Sequence, residues 1–562
     1  MAAVPRSGTP EKSSAPPAPA PALAPGSGPS AVRRRLLASA AVVLAVALLF
    51  VAYLQVSRTY PENSDESNDL LMAWDMLHGN LLLHGWYLSD VSFYTTELPQ
   101  YALLVRLFGL HTGTAHIAAA MTYTLVVILA ALLARGTASG RDGWLRMLLT
   151  TGIMFAPQLG VAVFILLLSL GHIGTAVPVM LTWLALDRLD GLKPRWPVPV
   201  LVGLMLTWAL IADPLVLIIG IVPLVAVCAA RVIRGAAVRR RAGRDAGWLR
   251  ASLAAQWYEL SLAAAAILAE GLASLVNRLI AASGGFILHP VGYQLAPLRT
   301  WPKHAYVTAK GLLALFGAKP QGPPAELAFA LVHLAGVALV LWAMWRVARH
   351  FFSDADLISQ ILLVAMVVNV ALYVPSTLAD ATDLNAREFA VVLPFGAVLA
   401  GRALAARIAS PSTARRGWLT PVLLVALAGY AASLGYAAAQ PSAPPANAQL
   451  AAFLAEHHLT SGIGGYWESS VVTVGSDGAV TIRAVLPGTL TPDLWESKGS
   501  WYDAGAQPAT FLVTDSEPGF FHYWKPAPAA LASLGPPART YHVGPYTIFV
   551  WDKNLLLQAG RR

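Results

Sequence analysis

A succession of apolar segments, most of them long enough to cross a bilayer and parted by short polar turns, constrains this chain more than any other feature. The first is Leu36–Val56, behind Arg33, Arg34 and Arg35. Others lie at approximately 112–134, 145–169, 174–188, 197–212, 214–231, 251–271, 324–346, 357–374, 388–407 and 418–437. A spanning helix needs about 20 apolar residues. The short segments around Gly171–Gly174 and Asp213–Pro214 read as helices meeting at tight turns. Only 12% of the residues are charged and 56% are hydrophobic, with mean hydropathy +0.58. A soluble domain carries roughly 25% charge, so much of this surface must face lipid. The expected fold is an all-α polytopic membrane protein with about eleven transmembrane helices.

Charge placement gives an orientation. With Arg33–Arg35 cytoplasmic, the alternation puts Arg135, Arg141 and Arg146, then Arg188, Lys193 and Arg195, then Arg231–Arg250, on the cytoplasmic side. Arg346 and Arg349, and Arg402, Arg407, Arg415 and Arg416, join them, while the short opposite loops carry only Arg387. This obeys the positive-inside rule. The net charge of +9 is thereby topological, and no nucleic-acid partner is expected. Residues 1–32, rich in Pro, Ala, Ser and Gly, read as a disordered cytoplasmic N-terminus. Leu36–Val56 is too long for a signal peptide and lacks a clean small-residue cleavage site, so it reads as a signal anchor. The single cysteine, Cys228, excludes an intrachain disulfide and reads as a small buried residue.

The domain order follows. Residues 33–437 form the multi-helix transmembrane domain, with long outer loops at 57–111 and 272–323. Residues 438–562 read as a small extracytoplasmic α/β domain. There Ala448–His457 is expected to be a helix capped by Asn447. Ser469–Val474, Ala479–Ala484 and a pair around Gly544-Pro545 are expected to be strands.

The first outer loop concentrates acids. Asn63-Ser64-Asp65-Glu66-Ser67-Asn68-Asp69 follows the first helix, and Leu70–Leu77 reads as a short helix at the membrane interface. Carboxylates beside a membrane helix end are costly unless solvated or used; spacing alone leaves both open.

This segment resembles the first outer loop of the C-type glycosyltransferases that use polyprenyl-phosphate sugars: the protein O-mannosyltransferases, the lipid A aminoarabinose transferases and their bacterial relatives. In them an Asp-Glu pair follows the first helix, then a helix ending in Met-Leu and Gly, then an extended stretch into Leu-Phe-Gly. Here these are Asp65-Glu66, Met76-Leu77 with Gly79, and Thr96–Tyr101 into Leu107-Phe108-Gly109. Where the family often has Lys-Pro-Pro-Leu, this chain has Glu97-Leu98-Pro99 and no lysine. Weaker matches are Gly203–Pro214, the segment Asn385-Ala386-Arg387-Glu388-Phe389 before Leu393-Pro394, and Gly462-Ile463-Gly464-Gly465-Tyr466-Trp467-Glu468.

The resemblance implies transfer of a sugar from a polyprenyl-phosphate donor to an extracytoplasmic acceptor, with inversion. It makes Asp65 the base, with Glu66 assisting. Arg387 is the first choice for the donor phosphate, or else an anchoring arginine at the lipid edge. Asp69 is an alternate acid or merely a first-turn helix residue. His172 either touches the acceptor or is a solvated turn residue. Arg299 and Lys303, in a basic and aromatic stretch with Tyr293 and Trp301, suit a lipid phosphate or ordinary lipid headgroups. No metal-ligand constellation stands out and no cofactor is required, although Asp65 and Glu66 could hold a divalent cation. The competing readings are a transporter or flippase, whose acids would line a path, and a non-catalytic scaffold with the same fold. Internal repeats, common in transporters, are not evident.

Overall fold

The computed structural model describes residues 29–168, 172–191, 195–242, 248–289, 294–353, 355–379, 383–408, 419–506, 508–519 and 521–559. Expectations for residues 1–28 and for Gly171, Lys193, Arg244, Tyr293, Arg415 and Arg416 lie outside these. The chain divides into a unit at Met1–Leu49, which holds the start of the first helix, and a second unit at Phe50–Arg562.

Among the described residues, six helices are long and apolar enough to cross a membrane: Val32–Ser57, Thr112–Arg135, Leu217–Arg241, Trp257–Ala282, Pro324–Arg349 and Pro421–Ala438. Three shorter apolar helices, Pro197–Ala212, Leu357–Tyr373 and Val392–Ala405, sit where spans are expected. The chain is a multi-pass membrane protein; a count of eleven is not reached by this measure. The expected 145–169 span is broken. It consists of a helix Gly140–Ile153, an irregular stretch, and a short helix Val161–Leu167. Pro157 and Gly160, the latter at φ +82°, interrupt the helix.

Four helices position the site. The first, α1 (Pro29–Ser57), is followed by α2 (Ser64–Leu77), α3 (Glu97–Phe108) and α4 (Thr112–Arg135). Asn63 starts α2: its side chain accepts from the Asp65 amide at 2.7 Å, and the Asn63 amide donates to Glu66 Oε2 at 3.0 Å, a reciprocal cap. Leu70 and Ala73 of α2 pack with Tyr101, Leu104, Ala115 and Ala118, and Met72 packs with Leu83, Trp86, Leu88 and Phe286. Two faces of α2 are thus buried against protein, while Trp74 and Leu77 stay exposed. The expected extended stretch Thr96–Tyr101 is instead mostly helical: Pro99 falls in the first turn of α3, where its missing N–H is not needed.

Three distant segments share a small sheet. β1 (Trp86–Leu88) pairs in parallel with β2 (Ile287–Leu288) and antiparallel with a strand at Ser497–Lys498. The C-terminal region begins with a helix, Ala448–Glu456, then β3 (Ser461–Gly464) and β4 (Thr481–Ala484). Naming Ser497–Lys498 β5, it continues with β6 (Phe511–Asp515), β7 (Arg539–Val543) and β8 (Tyr546–Val550). The five-stranded sheet runs β4-β3-β6-β8-β7, with β4, β3 and β6 parallel and the β6–β8–β7 pairs antiparallel. Its faces are covered separately: Phe511 and Val513 face a cluster with Leu450, Leu454 and Val472, and Leu512 faces one with Ala530, Leu534 and Trp551. Gly462 is obligatory, because a Cβ there would stand 2.2 Å from the Phe511 ring.

Ser469–Val474, expected as a strand, is the helix Ser470–Gly475. Its valines serve two cores: Val471 and Val472 pack on the sheet, and Val474 packs on α2, α3 and α4. That two-sided demand overrides the strand preference of a β-branched run. Asn447 does precede the expected helix, but at φ +55° and without a side-chain cap; its side chain bonds Trp467 O and Tyr546 Oη instead. Cys228 is buried.

Candidate active site

The capped start of α2 sets Asp65 beside residues that arrive from the far end of the chain. Tyr466 Oη lies 2.7 Å from Asp65 Oδ1 and 2.7 Å from Glu496 Oε2. Asn68 Nδ2 donates to the same hydroxyl at 3.1 Å, and Ser64 Oγ donates to the Tyr466 carbonyl at 2.6 Å. On the other side, Arg387 Nη1 stands 3.8 Å from Asp65 Oδ2, and Arg387 Nε stands 3.7 Å from Glu388 Oε1.

Glu388 carries the network onward. His172 Nε2 is 3.5 Å from Glu388 Oε2, and His172 Nδ1 is 2.8 Å from Asp213 Oδ2. Thr175 donates to the same Asp213 oxygen, and the Leu215 amide donates to Asp213 Oδ1 at 2.8 Å. Asp213 thus caps the turn at Pro214 while holding the histidine. The result is one run of buried and half-buried side chains: Glu496, Tyr466, Asp65, Arg387, Glu388, His172, Asp213. His172 at φ +55° and Glu496 at φ +44° both hold the left-handed backbone region, which costs a non-glycine residue about 1–3 kcal/mol and is retained where surroundings enforce it.

Charge follows from burial. Burial alone lowers the His172 pKa, but Asp213 and Glu388 outweigh it and hold the imidazole well above its usual range, so it is a cation. Burial raises Asp65, and Arg387 and the Tyr466 hydrogen bond pull it back without cancelling the rise. Glu66 is pushed up to about 8 by burial and by Asp65, and Glu97 to about 7, mainly by burial. Asp69 rises well above the carboxylate range through burial and the nearby Glu496, Glu97, Glu66 and Asp65. Asp69 Oδ2 and Glu97 Oε1 lack hydrogen-bond partners. The resting site therefore holds protonated acids beside an Arg387–Asp65 pair.

Of the residues singled out in the sequence, Asp65, Glu66, Asp69, Arg387 and His172 gather here. Arg299 and Lys303 do not: both are exposed, on a turn at Leu298–Thr300 and the helix Trp301–Leu315. Among the described residues no group of three or more His, Cys, Asp or Glu is arranged to hold a metal ion. Glu66 Oε2 accepts in the cap of α2, and the two Asp65 oxygens face Tyr466 and Arg387. Glu496 escaped the sequence reading, with no local pattern to mark it, and Glu388 lay unassigned inside the 385–389 segment.

Two hollows lie beside the network. One, of about 340 Å³, has Asp90, His172, Asp213 and Glu388 at its polar end and Leu217, Ile218, Leu372 and Leu378 along its apolar walls. The other, an open groove of about 490 Å³, is lined by Glu62, Asn63, Asn447, Trp467, Phe521 and His522 among others.

No family model matches the chain. None of the curated proteins matches it either. Solved structures do. ArnT from Cupriavidus metallidurans bound to undecaprenyl phosphate aligns at TM-score 0.52 and 15% identity, over 91% of this chain and 98% of that one. The apo state of that protein aligns at 0.42 and 14% identity, over 94% and 100%. The Archaeoglobus fulgidus oligosaccharyltransferase, tethered with an acceptor peptide containing the NVT sequon, aligns at 0.46 and 13% identity, over 84% and 69%. The chain therefore shares the fold of ArnT.

Proposed function

We propose that this protein is an inverting membrane glycosyltransferase that moves a sugar from a polyprenyl-phosphate donor to an acceptor outside the cytoplasm. The observation that carries it is a buried carboxylate, Asp65, braced by a tyrosine hydroxyl on one oxygen and facing a guanidinium across the other. In this reading residues 33–437 are the membrane domain, the N-terminus is cytoplasmic, and the 57–111 loop and residues 438–562 lie outside.

The chemistry is a single displacement. Asp65 takes the proton of the acceptor hydroxyl as its oxygen bonds to the anomeric carbon. The bond from that carbon to the phosphate oxygen breaks on the opposite face, and polyprenyl phosphate leaves. Arg387 meets the charge that develops on the phosphate, and cationic His172 holds Glu388 against Arg387. The hollow by His172, acidic at one end and apolar along its walls, suits the lipid end of the donor. The groove by Trp467 and Phe521 suits a sugar-bearing acceptor, since aromatic faces, amides and acids line it and no Lys or Arg does.

The test uses purified protein in liposomes with a panel of undecaprenyl-phosphate-linked radiolabelled hexoses and pentoses and a cell-envelope extract as acceptor. Asp65→Asn should lower transfer by about 10²–10⁴-fold at unchanged membrane expression. An EDTA arm separates a rate that needs a divalent cation from one in which Arg387 alone meets the phosphate. Full turnover in Asp65→Asn removes Asp65 from the mechanism, and labelling that puts residues 57–111 in the cytosol removes the whole reading.

A further inference from the structure

The hydrogen bonds around Tyr466 impose a proton count. A phenol has one proton to give and two lone pairs to accept with. Its oxygen has three polar neighbours: Asp65 Oδ1, Glu496 Oε2 and Asn68 Nδ2. Asn68 is a donor here: its Nδ2 faces the phenol, and its Oδ1 accepts from Ser470 Oγ at 2.5 Å. Two carboxyl oxygens remain at 2.7 Å, and the single phenol proton can fill only one of these contacts. The other contact needs a proton on the carboxyl itself. Arg387 makes its ion-pair contact with Asp65, at 3.8 Å, and acts on Glu496 only from farther off, so Asp65 is the carboxyl left ionised.

Resting on the glycosyltransferase reading, we infer that Tyr466 and Glu496 are positioning residues for Asp65: Glu496 keeps a proton, donates it to the Tyr466 oxygen, and so directs the phenol's proton onto Asp65 Oδ1. The base is then aimed by a residue more than 400 positions away, with its second oxygen left toward Arg387 and the reacting hydroxyl. No proton needs to leave this chain during transfer; Asp65 gains one from the acceptor and loses it to solvent after the product departs.

The surroundings agree. Burial and the Asp65 charge push Glu496 up to about 8, although Tyr466, Ser89 and Arg387 act the other way. The groups facing it are Asp65 and Asp69 from α2, Ser89 from the first loop, Arg387 from the turn at Asp383–Phe389, and Tyr466. The left-handed backbone at Glu496 is what turns its side chain into this space.

Two measurements test the inference. In the first, kcat is followed against pH for the full-length protein in liposomes. Loss of the Glu496 proton near pH 8 should give the wild type an alkaline limb. Glu496→Ala should lower kcat by roughly 10–100-fold, as small misplacements of a reacting group do. Glu496→Gln, whose amide can donate to Tyr466 but cannot ionise, should recover most of that loss and abolish the alkaline limb. Tyr466→Phe should move the acid limb upward. A role confined to packing would leave both limbs in place. The second measurement needs no substrate: the infrared difference between wild type and Glu496→Gln at pH 6.5 should show the carbonyl stretch of a protonated carboxyl, lost on titration above pH 8. An unchanged alkaline limb in Glu496→Gln, or no such band, overturns the inference. The band present with no turnover on any donor sinks the glycosyltransferase reading and leaves the hydrogen-bonded chain standing.

Discussion

Removing the Arg387 guanidinium should strand Asp65 as a base. At 3.8 Å and an effective dielectric constant of about 20, a guanidinium and a carboxylate attract by roughly 4 kcal/mol. A third of the Arg387 side chain is open to water, and halving the figure for screening leaves about 2 kcal/mol. Losing that attraction would raise the Asp65 pKa in Arg387→Met, the proton being held roughly 30-fold more tightly at about 1.4 kcal/mol per tenfold. A base with a higher pKa holds its proton to higher pH, so the acid limb of kcat/KM should move up accordingly. Loss of the contact to the leaving phosphate adds a pH-independent drop of about 10²–10³-fold. Arg387→Lys keeps the charge and should keep the limb near its wild-type position while losing part of the rate. The assay is the liposome transfer reaction over pH 5 to 9. An acid limb in Arg387→Met that coincides with the wild type would refute the pairing of Arg387 with Asp65.

Other perturbations reach beyond the site. Arg402 is buried on the helix Val392–Ile408, where it bridges Asp187 at 2.9 Å, Asp356 at 2.8 Å and the Leu133 carbonyl. Arg402→Met should cost about 3 kcal/mol by leaving Asp187 unpaired, read as a lowered unfolding midpoint in detergent. Stability should also fall as pH rises. Glu66 and Glu97 hold protons to about 8 and about 7 when folded, whereas an unfolded Glu releases its proton near 4.3. Their contribution is therefore complete below about pH 4.3 and is lost as pH climbs toward 7–8. Melting temperatures measured from pH 5 to 8.5 should decline, with a shallower decline in Glu66→Gln, which keeps the helix cap but cannot ionise.

The sequence announces the membrane helices and the acids of the first loop because both are local: hydrophobic length and a cap signal are written in consecutive residues. Asn63 and Glu66 are three apart and form the reciprocal cap that such spacing implies. The break after Ile153 was harder to read, since an apolar run with one proline and scattered glycines suits a continuous span as well as two short helices. The Ser470–Gly475 helix misleads for a different reason: its valines answer to two separate cores, and a pattern of period two cannot express that. Glu496 is illegible in principle. Nothing near Trp495 and Ser497 marks it, and its meaning depends on Tyr466 and Asp65, which only the folded chain brings near it. His172 and Asp213 are visible singly as odd polar residues at turns, but their pairing spans 41 positions.

The three-stranded sheet has a consequence for the order of events in making the protein. β1 is synthesised early, β2 about two hundred residues later, and β5 another two hundred after that. Lys498 on β5 closes the arrangement by reaching back to Asp75 at 2.8 Å. Until the ribosome has passed residue 498, Asp65 lacks its tyrosine or the first loop lacks its last strand. A chain made only as far as residue 460 would insert its helices and still lack both the Tyr466 partner of Asp65 and the last strand of this sheet.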